Sequence, residues 1–379
     1  MATLDLIFFD AGGGHRAAAT ALNSVIEKNF PALQPRLMHL REVLDPVDVF
    51  RKVLRVDLQE IYNRMLRRGW TLGSRRGLRF MQRMIRLYHS AEVRLLENWW
   101  RDRVPDMAVS LVPNFNRALF DAWQRVAPGR PYVTILTDLA DYPPHFWMER
   151  QPQYFVCGSP RAVEQARALG HPADRVFQTS GMILQPSFYD LPPLDRVKKR
   201  LKLELDPDVT TGLVLFGGYG SKVMAKILER LEPLACDLQL ILIAGRNRKL
   251  ESALRSAPVN LRRHVVGFTS EVPYYMRLAD FFIGKPGPGS LSEAVHMGLP
   301  CITVRNALTL PQERYNAEWL TGNGYGIVLK SFRRIEQAVR EHILSGDELK
   351  QMRARVAGVK NRAVFEIPAI LTQILQRHA

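Results

Sequence analysis

FFIGKPGPGSLSEAVHMGLPCITV, residues 281–304, is the stretch that decides the fold. An apolar run at 281–283 enters a loop carrying Gly284, Gly287 and Gly289 with Pro286 and Pro288. A short helical pattern follows, and a second apolar run closes at 300–304. That order predicts strand, tight turn, helix, strand: a βαβ unit with a glycine-rich turn at the strand's C-terminal end. Gly287 and Gly289 let backbone N–H groups approach a ligand with no Cβ in the way. A helix beginning near Ser290 offers unpaired N–H donors and the positive end of a dipole, which suits phosphate. Glu293, read into the first turn, is badly placed for phosphate but suited to accept hydrogen bonds from sugar hydroxyls. The combination points to a nucleoside diphosphate with its ribose at the helix start. Ser290 and Glu293 also spell a capping box, in which each side chain satisfies the other's backbone donor. Capping alone does not explain the glycines that precede it.

The same alternation extends outward on both sides. The chain opens with an expected strand at 4–10, a glycine loop and a helix at 16–28. A basic helical segment occupies about 50–103. Apolar strands follow at 107–111, 132–136 and 153–157, with helices at 116–125 and 160–169. QPSFYDLPPL, residues 185–194, carries three prolines, loses periodicity and reads as a linker. A second run then begins: strand 212–216, the loop Gly217-Gly218-Tyr219-Gly220-Ser221, helix 222–231, strand 238–243, helix 248–256 and strand 264–267. Short apolar strands alternating with helices predict an α/β fold with parallel sheets covered on both faces. The expected division is 1–188 and 189–362, and 379 residues suffice for two cores.

Composition narrows the class. With 46% hydrophobic and 24% charged residues, the chain reads as a globular protein rather than a disordered or membrane-spanning one. Three widely spaced cysteines (Cys157, Cys236, Cys301) lack metal-ligand spacing and predict reduced thiols and a cytoplasmic setting. The N-terminus lacks a basic region and a long apolar run, so no signal peptide is expected, and no stretch approaches the ~20 apolar residues of a membrane span. The net charge of +16 is concentrated: residues 51–103 hold 14 Arg plus Lys against 5 Asp plus Glu. Arg79, Arg83 and Arg86 fall at helical spacing, with Met81, Met84, Ile85 and Tyr88 forming an apolar face among Trp70, Trp99 and Trp100. A basic amphipathic helix with aromatics predicts docking on an anionic membrane surface. The competing readings are a solvated helix face and, for a pI near 10, a nucleic-acid surface. No nucleic-acid module is visible, and no nucleic-acid partner is expected.

Several motifs in order resemble one family. Gly287-Pro288-Gly289-Ser290-Leu291-Ser292-Glu293-Ala294, closing with Gly298-Leu299-Pro300, is similar to the nucleotide-sugar domain of an inverting glycosyltransferase family. That family includes plant monogalactosyldiacylglycerol synthase and the bacterial lipid II-forming enzyme of peptidoglycan synthesis. FFDAGGGHRAAATAL (8–22) looks like the GGGH loop of the galactolipid synthases, and TDLADYPPHFW (137–147) like their second N-domain motif. GRNRKL (245–250), GFTSEVPYYMRLAD (267–280) and LPQERYNAEWL (310–320) follow in the family's order. The resemblance spans roughly 4–330. It implies the GT-B architecture, two Rossmann-like parallel-sheet domains facing across a cleft. It also implies an acceptor-binding N-terminal half, a donor-binding C-terminal half and a last helix, about 363–379, that packs back on the first domain.

Candidate site residues follow. Gly13, Gly14 and His15 sit after the first strand, where open α/β sheets bind ligands. The resemblance places His15 in the acceptor region and implicates it in catalysis. Asp138 ends the strand before 137, and Asp141 and His145 share its loop. An inverting transferase needs a base to deprotonate the acceptor hydroxyl, and His15 or Asp138, or the two as a pair, can serve. A turn-forming role is the alternative for Asp138 and Asp141. On the donor side Gly218, Gly220 and Ser221 form a second phosphate-type loop, with Lys222 or Arg246 to neutralise the departing nucleotide. No DxD-type aspartate pair presents itself, so neither a metal nor a cofactor is expected. The resemblance assigns base reading to Phe268 and Thr269, with a buried core phenylalanine as the alternative, and sugar recognition to Gln312, Glu313 and Asn316.

The sequence thus predicts a UDP-sugar-dependent hexosyltransferase acting on a lipid acceptor such as diacylglycerol, peripherally bound at the cytoplasmic face of the membrane. The rival readings are a nucleotide-sugar 2-epimerase on the same fold and a non-catalytic lipid- or nucleic-acid-binding protein.

Overall fold

The computed structural model describes residues 1–10, 13–44 and 74–378; in the helix Ser74–Trp100 the side chains of residues 74–84 and 86 lie outside that description. Gly12 and most of the basic segment therefore fall outside it, as do the side chains of Arg75, Arg76, Arg79, Arg83, Arg86, Met81 and Met84.

The described residues form two six-stranded sheets in which every pairing is parallel. One compact unit comprises Met1–Pro186, Leu310–Gln312 and Asn361–Ala379; the other comprises Ser187–Thr309 and Glu313–Lys360. The strands of the first unit are β1 (Ala2–Phe8), β2 (Leu33–His39), β3 (Met107–Ser110), β4 (Tyr132–Ile135), β5 (Tyr154–Cys157) and β6 (Val176–Gln178), in the order β2-β1-β3-β4-β5-β6. Those of the second are β7 (Thr210–Leu215), β8 (Leu238–Ile243), β9 (Arg263–Val266), β10 (Phe281–Gly284), β11 (Cys301–Val304) and β12 (Gly326–Leu329), in the order β12-β11-β10-β7-β8-β9.

Both faces of each sheet are covered, which is why the inner strands read as unbroken apolar runs. In the first unit Leu4, Leu6 and Phe8 of β1 pack under Leu22 and Ile26 of the helix Gly14–Asn29 and under Ile367, Leu371 and Ile374 of the helix Ala363–Gln376. Ile7 and Ala108 face the other way, onto Trp100, Leu119 and Trp123. Asp5 is buried in β1 and fully engaged: Arg36 Nε donates to it at 2.7 Å and Trp100 Nε1 at 2.8 Å. The second unit closes on one core built from β7, β8 and β10 with Met224, Ile227 and Leu228 of the helix Val223–Leu231.

The strand order fixes where a ligand can sit. In the second sheet β7 runs on to β8 and β9 on one side, and β10 starts the other side, so the strand order reverses between β7 and β10. Helices leaving in opposite directions open a crevice at such a switch point, at the strands' C-terminal ends. Register makes the two strands end level, with Gly284 opposite Leu215. The loops that follow them therefore emerge side by side.

Candidate functional site

In the second unit the loop after β7 turns through Gly217 (φ 72°) and Gly220 (φ 59°), backbone that a residue with a Cβ rarely adopts. Gly220 N–H donates to Gly217 O, and Arg246 N–H donates to Gly218 O at 2.8 Å, pinning this loop to the one after β8. Ser221 accepts a long bond from Val223 N–H at 3.3 Å. The loop after β10 is Lys285-Pro286-Gly287. The helix Pro288–His296 has Gly287 as its N-cap, with no side-chain cap. Its start is therefore two residues earlier than the sequence pattern suggests. Ser290 lies inside the first turn and Glu293 in the second, so the two do not form a capping box. Gly289 is exposed at the turn's rim.

Glu293 is half-buried, and no hydrogen bond or ion pair holds its carboxylate among the described residues. Burial alone lifts its pKa to about 7. Asn316 is completely buried: its Nδ2 donates to Pro286 O at 2.8 Å, while its Oδ1 has no partner. A buried amide oxygen left unpaired costs free energy.

Lys285 was not singled out by the sequence pattern, although it stands in the decisive stretch directly before the turn. Its Nζ pairs with Glu313 at 3.1 Å. Lys285 Cε would lie 3.8 Å from a Cβ at Gly217 and 3.3 Å from one at Gly287. One ammonium thus sits between the two glycine turns. Glu313, expected in the sugar-recognition motif, is the acidic partner of this lysine.

Phe268 is 59% exposed, which removes the alternative of a core phenylalanine. Its ring lies under the Arg246 guanidinium, 4.4 Å from carbon to centroid, an arrangement stabilising by about 0.5–1 kcal/mol at an exposed site. Thr269 Oγ1 accepts from Glu271 N–H and shapes the turn behind it. Gln312 and Glu313 share the turn Pro311–Glu313 ahead of the helix Arg314–Gly322, and both are buried.

In the first unit Gly13 adopts φ 83° as the N-cap of the helix Gly14–Asn29, which places His15 in the first turn. Thr137 Oγ1 lies 2.7 Å from His15 Nδ1, and the imidazole packs against Trp147 at 5.6 Å between centroids. Burial lowers the ring's pKa to about 4, outweighing a backbone hydrogen bond to Leu111 that favours the charged form. His15 is therefore neutral at pH 7. Asp138 is buried and accepts from Trp147 Nε1 at 2.9 Å. The two candidate bases thus both contact Trp147, His15 through its ring face and Asp138 through the indole N–H.

Asp141 is placed otherwise. Its carboxylate accepts from Trp147 N–H at 2.6 Å and His145 N–H at 3.0 Å, closing the loop, and burial raises its pKa to about 6 against those bonds. It is the turn-forming aspartate of the two readings. His145 adopts φ 62° and Asn114 φ 66°, and both line a pocket of about 20 Å³ with His89 and Glu149, room for about one water. Asn116, also not singled out, is fully engaged beneath this loop. Its Nδ2 donates to Val112 O and Trp147 O, and its Oδ1 accepts from Tyr132 and Thr134.

With this geometry in place, the chain compares with known proteins as follows. Residues 213–365 match the glycosyltransferase family 28 C-terminal domain. A probable chloroplastic monogalactosyldiacylglycerol synthase 2 of Oryza sativa subsp. japonica is 27% identical, covering 99% of this chain and 81% of its own. Residues 213–365 thus form a glycosyltransferase family 28 C-terminal domain, and along nearly its whole length the chain is similar to the monogalactosyldiacylglycerol synthases. MurG of Acinetobacter baumannii has the same fold, with a TM-score of 0.64 at 13% identity over 98% of this chain and 100% of its own. So has the UDP-GlcNAc 2-epimerase of Neisseria meningitidis, at 0.60 and 14% over 100% of both chains. The architecture is accordingly GT-B, two Rossmann-like α/β domains, and the protein is a glycosyltransferase. Its crevice at the β7/β10 switch point lies within the matched domain.

Proposed function

We propose that this glycosyltransferase moves a hexose from a UDP-sugar to a lipid acceptor such as diacylglycerol, with inversion, at a membrane surface. The observation that carries the donor half is Lys285, an ammonium between two glycine turns at the switch point. Backbone N–H groups of the turns would take the diphosphate, and Lys285 with Arg246 would stabilise the charge that builds on the departing nucleotide. Glu293 would accept from the ribose hydroxyls, Phe268 would flank the base, and the Asn316 Oδ1 and Gln312 would take hexose hydroxyls. On the acceptor side the neutral His15 imidazole would accept the proton of the attacking hydroxyl, with Asp138 holding Trp147 against it as a positioning residue. The lipid acceptor rests on the likeness to monogalactosyldiacylglycerol synthase along nearly the whole chain. No helix among the described residues is long and apolar enough to cross a membrane, which agrees with peripheral docking through the basic segment.

The test is incubation of the protein with a panel of UDP-sugars and total lipid extract, read by mass spectrometry for new glycolipids. A hexose added to diacylglycerol, with UDP released in equal amount, is the expected result. Turnover of UDP-sugar without acceptor would favour an epimerase, and no UDP release with any acceptor would leave a binding protein.

A further inference from the structure

At the opposite end of the second sheet, Asp280 immediately precedes β10 and gathers three arginines. Its Oδ1 accepts from Arg196 Nη2 at 2.6 Å and from Arg353 Nη2; its Oδ2 accepts from Arg200 Nη2 at 2.6 Å and from Thr211 N–H at 2.8 Å. Burial opposes the charge on Asp280, yet Arg196 and Arg200 hold its pKa down to about 2, so the carboxylate is ionised at pH 7. Three guanidinium groups facing one carboxylate leave two positive charges uncompensated.

The three arginines are not equivalent. Arg200 is buried and fully engaged, its remaining donors going to Leu278 O, Pro207 O and Val209 O. Arg196 and Arg353 are more than a third exposed, and both line an open cleft of about 430 Å³. Arg277 lines the same cleft and spends one donor on Pro192 O. The Nη1 of Arg196 and of Arg353 and the Nη2 of Arg277 meet no acceptor among the described residues. The Arg196 Nε is buried and also unpartnered. A buried guanidinium donor without an acceptor is costly, and structural ion pairing with Asp280 leaves it unexplained. Planar guanidinium forks converging on one cleft match the geometry of a tetrahedral oxyanion, and the volume lies in the range of small-ligand sites.

We propose that the cleft lined by Arg196, Arg277 and Arg353 is a second anion site, taking a phosphoryl group at the end of the sheet remote from the sugar-nucleotide crevice. β10 separates the two ends, running from Asp280 at this cleft to Lys285 at the crevice. The phosphoryl group is free phosphate or a lipid headgroup, chemistries the same forks would accept.

The experiment titrates the full chain with inorganic phosphate by calorimetry, with UDP present at saturation so that the crevice after β10 is filled. Binding that persists under UDP, and weakens at least tenfold in Arg196→Gln/Arg277→Gln, is expected, and Arg353→Gln alone should weaken it severalfold. UDP affinity should stay within twofold of wild type in each variant, which also reports that the unit is folded. Arg277→Gln, which loses only a bond to one carbonyl, guards against a folding artefact. Cosedimentation with phosphatidylglycerol and with phosphatidylcholine vesicles separates the sources. Arginine-dependent binding to the former alone assigns a lipid headgroup, and phosphate binding without it assigns the free anion. Phosphate binding abolished by UDP or by Lys285→Ala, and indifferent to the cleft arginines, would overturn the proposal.

Discussion

Glu293 carries the sharpest pH signature of any single residue in the donor site. Its carboxyl titrates near 7 because burial disfavours the charge and nothing nearby supports it. A ribose hydroxyl donates best to the ionised form, so binding and deprotonation are linked. The direction follows: at pH 6 most molecules must lose a proton to bind, at pH 8 few must. UDP affinity is expected to rise about tenfold between pH 6 and 8. Glu293→Gln should flatten that dependence and weaken binding by roughly 1–3 kcal/mol at pH 8, the scale of a charged hydrogen bond. Calorimetric titrations at both pH values measure it, and an unchanged slope in the variant would remove Glu293 from the nucleotide. His15 gives the complementary case. It is held by Thr137 and Trp147 in the first unit, whereas the glycine turns after β7 and β10 belong to the second. His15→Ala should lower turnover by 10²–10⁴, the range for a lost general base, and leave UDP affinity near wild type. Equal loss of both would assign the imidazole to the donor.

At the scale of elements, every inner strand was legible, and of the four edge strands only β9 was. The sequence pattern marks β1, β3, β4, β5, β7, β8, β9, β10 and β11, and it misses β2, β6 and β12, each at a sheet edge. The reason is physical. An edge strand is covered on fewer sides and needs no apolar run, so β2 holds Pro35 and Arg36, β6 is three residues long, and β12 is only half-buried along its length. The glycine turns after β1 and β7 were legible because positive φ at Gly13, Gly217 and Gly220 leaves a mark in the sequence. The contacts of Lys285 with Glu313 and of Trp147 with Asp138 were not, because they join residues that only the fold brings together. The helix Ser74–Trp100 shows the same limit. Glu92 looks like one more charge on a solvated face, yet it is 6% exposed beside Val93 and Leu96, and its Oε2 has no partner. Burial raises its pKa from 4.5 to about 8. A carboxyl raised in this way binds its proton more tightly folded than unfolded, so stability falls as pH rises through that window and levels off above it. At about 1.4 kcal/mol per unit the cost at pH 8 is roughly 2–5 kcal/mol. Glu92→Gln is therefore expected to raise the melting temperature at pH 8 and to leave it unchanged at pH 4, as thermal denaturation at the two values would show.

For the molecule as a whole, the chain's last segment belongs with its first. Asn361–Ala379 is part of the first unit, and the helix Ala363–Gln376 buries Ile367, Leu371 and Ile374 against the helix Gly14–Asn29 and β1. The first unit's core is therefore completed only by residues some 340 positions after Leu22 and Ile26. Leu371 is wholly buried there, and replacing such a leucine by alanine removes transfer free energy and leaves a cavity, together about 2–5 kcal/mol. The second unit has its own core, which contains none of these side chains. Hydrogen exchange read by mass spectrometry separates the two effects. In Leu371→Ala, amides of β1, β3 and the helix Gly14–Asn29 should exchange about 30-fold faster or more, since each 1.4 kcal/mol is tenfold where exchange follows opening. Amides of β7, β8 and the helix Val223–Leu231 should keep wild-type rates. UDP at 100 times its dissociation constant should then slow exchange in that second set, by up to about 2.7 kcal/mol, in the variant as in the wild type. Faster exchange spread evenly over both sets in Leu371→Ala would mean that the C-terminal helix supports the whole chain rather than the core it fills.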